Sequence, residues 1–223
     1  MGATFLLANI NPLAMKNAAS SVPRFIGICL LLAGLAVSFV ACDRADLPEI
    51  FDQTNHYPNT LHSFWVYERY DSLENAQDRV TVTVVGDTLV AGTTLKIWEY
   101  EYEDFTEKRY VVQEGDSLKI FESQLDRIDQ VYILPLEIDL GWVNPDYRPD
   151  TSFVLSRESV SVNGSEYARV YVVERNAICC NTYLFEKIWI KPGLGVIQLV
   201  RKATPWGGPR RDEVWTLVDY KIE

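Results

Sequence analysis

The chain predicts an all-β fold: a strongly curved antiparallel meander of about ten to eleven strands, half-barrel or barrel-like, with a β-sandwich as the alternative. Three observations carry this. Val80, Val82 and Val84 alternate with Arg79, Thr81 and Thr83, the period-two pattern of a half-buried strand. Turn dipeptides at Gly86-Asp87, Gly115-Asp116, Asn163-Gly164, Pro192-Gly193 and Gly207-Gly208 separate runs of the same texture. Helical periodicity is nearly missing, with one short turn expected over 123–130.

The first segment is of a different kind. Basic Arg24 precedes an apolar run of seventeen residues, Phe25 to Ala41, which ends at Cys42. Charge, apolar stretch, small residue and cysteine form the layout of a bacterial lipoprotein signal peptide. Seventeen residues also reach the lower limit for a bilayer span, so an uncleaved anchor is the alternative. Phe39 departs from the usual leucine three places before the cysteine. Met15, followed by Lys16, is the expected start, which gives a signal of ordinary length. The expected organisation is therefore a signal over 1–41, a lipidated tether over 42–60 and a single β domain over 61–223. Acylation of Cys42 by palmitate-like chains would hold the protein on a membrane, at ~0.8 kcal/mol per buried methylene.

Removing Lys16 and Arg24 leaves 19 basic against 31 acidic residues, a net charge of −12. That excess argues against nucleic acid and against lying flat on anionic lipid. It suits a body held off the bilayer, at the periplasmic face or at the cell surface. Asp43 is compatible with either address.

Strands are expected near 62–70, 79–84, 93–103, 107–113, 117–122, 130–140, 152–162, 166–174, 182–190, 194–200 and 213–221. Tight turns force neighbours in sequence to pair, which gives a meander. Asn163-Gly164, between two valine-bearing runs, is the strongest hairpin signal. In 95–103 Lys96, Trp98, Tyr100 and Tyr102 share one face, and Leu95, Ile97, Glu99 and Glu101 the other. In 182–190 the faces are Tyr183, Phe185, Lys187, Trp189 and Leu184, Glu186, Ile188, Ile190. Apolar surface on both faces, with charges in mid-strand, fits a curved sheet with an occupied concave side better than a plain sandwich.

Chemistry-bearing motifs are sparse. His56 and His62 accompany no nucleophile or zinc-protease spacing. Glu99, Glu101, Glu103 and Asp104 could serve a glycosidase, but their spacing reads first as a charged strand edge. The oxygen-rich loop 139–150 lacks the fixed spacing of a calcium loop. Cys179 and Cys180 form either a vicinal disulfide in a strained turn or two idle thiols. No metal and no cofactor is expected. The aromatics are harder to set aside. Trp98, Tyr100, Tyr102, Tyr183, Phe185 and Trp189 are the expected ligand-binding set, lining a groove for an acyl chain or the flat face of a sugar.

The stretch Trp189-Ile-Lys-Pro-Gly-Leu-Gly-Val196 resembles a closing motif of uncharacterised β-rich bacterial lipoproteins, in which an aromatic strand enters a Pro-Gly-x-Gly turn and returns as an apolar strand. Lys191 stands where a small residue is usual. The resemblance covers the last third of the chain and is loosely similar to the half-barrels of lipoprotein carriers. It implies a fold and brings no catalytic residues. The expected function is that of a non-enzymatic envelope lipoprotein, anchored through Cys42, binding a lipid or other apolar ligand on its concave face. The alternatives are an accessory lipoprotein docking another envelope protein and, more distantly, a glycan-active enzyme.

Overall fold

The computed structural model describes residues 57–122, 128–144, 150–179 and 181–223, without the Cys179 side chain. Cys42, the 1–41 signal, tether residues 42–56, residues 123–127 of the helical turn expected over 123–130 and the Cys179-Cys180 pair lie outside the described residues, and 128–130 are strand rather than helix. Twelve strands follow in order: β1 (Phe64–Asp71), β2 (Ala76–Val90), β3 (Thr93–Glu101), β4 (Thr106–Glu114), β5 (Ser117–Phe121), β6 (Ile128–Ile133), β7 (Gly141–Val143), β8 (Asp150–Val162), β9 (Ser165–Cys179), β10 (Thr182–Lys191), β11 (Gly195–Pro205) and β12 (Arg211–Lys221). All pair antiparallel in one sheet, ordered β6-β5-β4-β3-β2-β1-β12-β11-β10-β9-β8-β7. The meander is expected from the turns; the β1–β12 pairing joins its two ends into one sheet. Among the described residues there is no helix.

The sheet curls into a nearly closed barrel, and side chains rather than a ladder join its free edges. Val131 of β6 receives both. Trp142 Nε1, from β7, donates to the Val131 carbonyl at 2.8 Å, and the Val131 amide donates to Asn144 Oδ1 at 3.2 Å. An edge strand that would otherwise present unpaired backbone groups is thus covered.

Three expectations change. Gly86-Asp87 is not a turn: β2 runs on through a bulge between Val84 and Gly86, and the chain reverses at Ala91-Gly92. The predicted strand 130–140 stops at Ile133, before the cis Leu134-Pro135 bond, and β7 follows as a separate strand. Glu99 and Glu101 do not lie on a sheet edge, since β3 pairs with both β2 and β4. Asn163-Gly164 does make the expected two-residue turn, with φ of 49° and 78°, as a type I′ hairpin requires.

Alternation sorts the interior. Trp65, Tyr67, Arg69 and Asp71 of β1 turn inward, as do Val80, Val82 and Val84 of β2, all buried. Trp65 Nε1 donates to the Leu194 carbonyl at 2.6 Å and Tyr67 Oη to that of Val196 at 2.9 Å. The Pro-Gly-Leu-Gly turn thus fastens β1 to the β10–β11 hairpin. Gly195 at φ +95° supplies the backbone this needs.

Candidate functional site: an aromatic cavity beside an ionic girdle

One wall of the interior is aromatic. Trp98 and Trp65 rings lie 5.4 Å apart, and Tyr132 and Tyr57 5.2 Å apart. Tyr57, which the sequence assigns to the tether, is buried and stacks on Trp98 at 5.8 Å and 24°. Two residues on, Asn59 Oδ1 accepts from Trp98 Nε1 at 2.7 Å. Trp215 stands edge-on to Tyr67 and Tyr102. Its buried Nε1 has no hydrogen-bond partner among the described residues.

These rings enclose a cavity of about 80 Å³, lined also by Arg109, Gln130, Ile188 and Arg201. Burial pushes the Tyr57, Tyr67 and Tyr132 phenols well up, that of Tyr100 up, and that of Tyr102 to about 12. All therefore stay neutral at physiological pH, donors and stacking faces rather than bases. The Arg109 guanidinium lies 4.6 Å from the Tyr100 ring centre. It bonds Glu107 and Asp129, each at 3.0 Å. Among the described residues Trp215 Nε1 is the buried side-chain polar atom without a hydrogen-bond partner, and Tyr100, Gln130, Arg109 and Arg201 add polar groups to the same lining.

The other wall is charged. Asp150, Arg175, Glu186, Arg201, Glu213, Arg69 and Asp78 alternate in sign across β8, β9, β10, β11, β12, β1 and β2. Arg175 grips Asp150 with Nε–Oδ1 at 3.0 Å and Nη2–Oδ2 at 2.7 Å, and reaches Glu186 at 3.1 Å. Arg201 bonds Glu186 at 2.6 Å and Glu213 at 3.4 Å. Arg69 continues the ring to Glu213 at 3.8 Å and Asp78 at 3.0 Å. Burial opposes ionisation of Glu186, but the Arg201 and Arg175 guanidiniums outweigh it and hold its carboxyl below the usual range. Such a girdle is an opposite-charge cross-strand ladder, which fixes register by penalising any slip.

The six expected ligand-binding residues do not form one surface. Trp98, Tyr100 and Tyr102 are buried inside, and the first two line the cavity. In β10 the buried face is Glu186, Ile188 and Ile190, so Tyr183, Phe185 and Trp189 lie on the opposite face. Tyr183 is exposed and donates to Asn176 Oδ1 at 2.7 Å. Phe185 and Trp189 are half-buried beneath the Lys202 and Lys187 ammonium groups. The reason is that Glu186 has partners inside the barrel, and this sets the strand's orientation. In the glycosidase candidate, Glu99 pairs with Lys108 at 3.6 Å, and Glu101, Glu103 and Asp104 are exposed. Residues 145–149 of the oxygen-rich loop lie outside the described residues; at its described ends Asn144 Nδ2 donates to Asp150 Oδ1 at 2.6 Å, and Asp150 belongs to the girdle. No group of His, Cys, Asp and Glu suited to a metal occurs among the described residues.

Tyr57, Asn59, Gln130 and the girdle were not singled out from sequence. Glu186 in the middle of an apolar face was the one legible sign of the girdle.

No family model matches the chain, and no curated protein matches it. Among solved structures, it is similar to a candidate exported protein with a YmcC-like fold from Bacteroides fragilis, with TM-score 0.47 and 8% identity over 75% of this chain and 99% of that one. It is also similar to a candidate lipoprotein from Parabacteroides distasonis, with TM-score 0.42 and 10% identity over 75% of this chain and 98% of the other. At these values neither neighbour bears on what this chain binds.

Proposed function

We propose that the protein is a lipid-anchored lipoprotein of the bacterial envelope, non-enzymatic, whose barrel interior binds a small ligand. The anchor rests on the Cys42 signal in the sequence. The binding role rests on one observation: an aromatic-walled cavity whose lining includes the unpartnered Trp215 Nε1 and the polar side chains of Tyr100, Gln130, Arg109 and Arg201. Apolar walls with a few placed polar groups are the usual composition of a ligand site. Stacking on such rings adds ~0.5–1.5 kcal/mol per pair beyond area burial. The cavity's 80 Å³ is well under the ~300 Å³ of a common small-molecule pocket. A ring or a headgroup fits this scale better than a whole acyl chain, which narrows the expected lipid ligand to its polar end.

The test is native mass spectrometry of the full chain purified from its own membrane. An adduct that denaturation releases, beyond the covalent lipid, is the expected result. A bare lipoprotein mass, also after incubation with membrane extract, would move the reading to docking. One feature favours that alternative: Val143, Phe153 and Leu155 expose apolar side chains on the outer face of β7 and β8.

A further inference from the structure

We infer that Tyr57 is an internal plug, seated where a ligand's uncharged, hydroxyl-bearing six-membered ring binds, so that ligand entry displaces the end of the tether. This rests on the cavity being the ligand site, and it names both the ligand class and what guards the seat.

The first support is how Tyr57 is held. Its ring lies against Trp98 and Tyr132, with centroids 5.8 and 5.2 Å away. No backbone hydrogen bond ties 57–59 to the sheet among the described residues; the first such link is His62 with Val84. Among the described residues, side chains hold the segment: Tyr57 in the stack and Asn59 on Trp98 Nε1. A strand residue could not leave without breaking the ladder. Tyr57 can.

The second is size. The 80 Å³ beside Tyr57 is smaller than the ~150 Å³ apolar cavity known to admit benzene. Withdrawal of one phenol ring opens a seat for one ring of similar shape, flanked by the same two aromatic faces. The third is charge. Each guanidinium at the cavity already meets two carboxylates, Arg109 with Glu107 and Asp129, Arg201 with Glu186 and Glu213. No uncompensated positive charge calls for an anion. What remains on the lining are neutral groups, the Tyr100 hydroxyl, the Gln130 amide and the unpartnered Trp215 indole N–H, suited to hydroxyl groups. A phenol and the apolar face of a sugar share this chemistry.

A seat occupied by its own plug lowers apparent affinity by the fraction of time it is open. The test uses the full chain in lipid nanodiscs, titrated with p-cresol and with methyl β-glucoside. p-Hydroxybenzoate and glucuronate serve as charged counterparts, and decanoate as a chain. Tyr57→Ala is expected to bind one of the neutral rings roughly tenfold or more tighter than wild type. Tyr57→Phe, which keeps the plug, should behave as wild type, and the charged counterparts should bind worse. Which neutral ring responds identifies the source of the chemistry. If folded Tyr57→Ala gains nothing, or the charged rings bind as well, the plug is refuted. Should Tyr57→Ala fail to fold, Asn59→Ala decides: it releases Trp98 Nε1 while leaving the ring, and a gain supports the plug while none overturns it. Decanoate bound equally by wild type and variant would refute the plug and leave the cavity reading intact. No probe and no membrane-derived mass in any variant would remove both.

Discussion

The aromatic wall and the ionic girdle enclose one interior but are built on opposite principles. The aromatic wall, from Tyr57 and strands β1, β3, β6 and β12, is made of neutral rings whose packing leaves a gap. The girdle, from β8 round to β2, is made of paired charges, and its buried members are hydrogen-bonded to one another. A wall of the first kind can exchange one ring for another. A wall of the second kind cannot lose a member without stranding its neighbours. The barrel can therefore adapt on the side of Tyr57 and not on the side of the girdle.

The largest effect should come from breaking the girdle. Glu186, 1% exposed, bridges Arg175 and Arg201. Glu186→Ala should cost about 3–5 kcal/mol in urea unfolding, because two guanidiniums lose their shared partner in the interior. Replacing Arg175, Glu186 and Asp150 together by Met, Leu and Leu should cost far less, since the desolvation penalty then goes with the charges. Equal losses in both proteins would mean that packing, not pairing, carries the effect.

The two walls should also fail at opposite ends of the pH scale. The folded Glu186 carboxyl is held below its unfolded value. Its contribution is thus full above about pH 4.3 and is lost as pH falls through the lower folded value. The buried tyrosines are raised. Theirs is full below about pH 10 and is lost as pH rises toward the folded values. Glu186→Gln should therefore flatten only the acid limb of a stability–pH curve. Steepness left in that limb would assign it to other carboxylates.

A smaller loss is expected at the seam. Trp142→Phe leaves the Val131 carbonyl without its indole donor and should cost about 1–3 kcal/mol. The same variant should raise amide exchange at Val131 if the seam is a real closure. Unchanged exchange would show that the Asn144 bond suffices.

Much of this fold was legible because strand alternation and turn chemistry are local. Asn163-Gly164 and Gly115-Asp116 acted where expected. Gly86-Asp87 did not, because a bulge uses the same glycine freedom without reversing the chain. The site was legible only in part. Trp98 and Tyr100 face the cavity, yet Tyr183, Phe185 and Trp189 face away, since alternation separates two faces without saying which is inside. Glu186 decided that, through Arg175 and Arg201 on neighbouring strands. Tyr57 was hidden for another reason. A single aromatic in a proline-bearing polar segment has no period, and only the completed barrel gives it a place.

The most direct test of the account is fluorine NMR of the full chain carrying 5-fluorotryptophan at its six tryptophans, with ligand from its own membrane added. Trp65, Trp98 and Trp215 line the cavity, whereas Trp206 is exposed in the β11–β12 turn and Trp189 lies on the other face of β10. The account predicts that Trp98 and Trp65 resonances shift while Trp189 and Trp206 stay still. Shifts confined to Trp189 or Trp206 would place the ligand outside the barrel and contradict it.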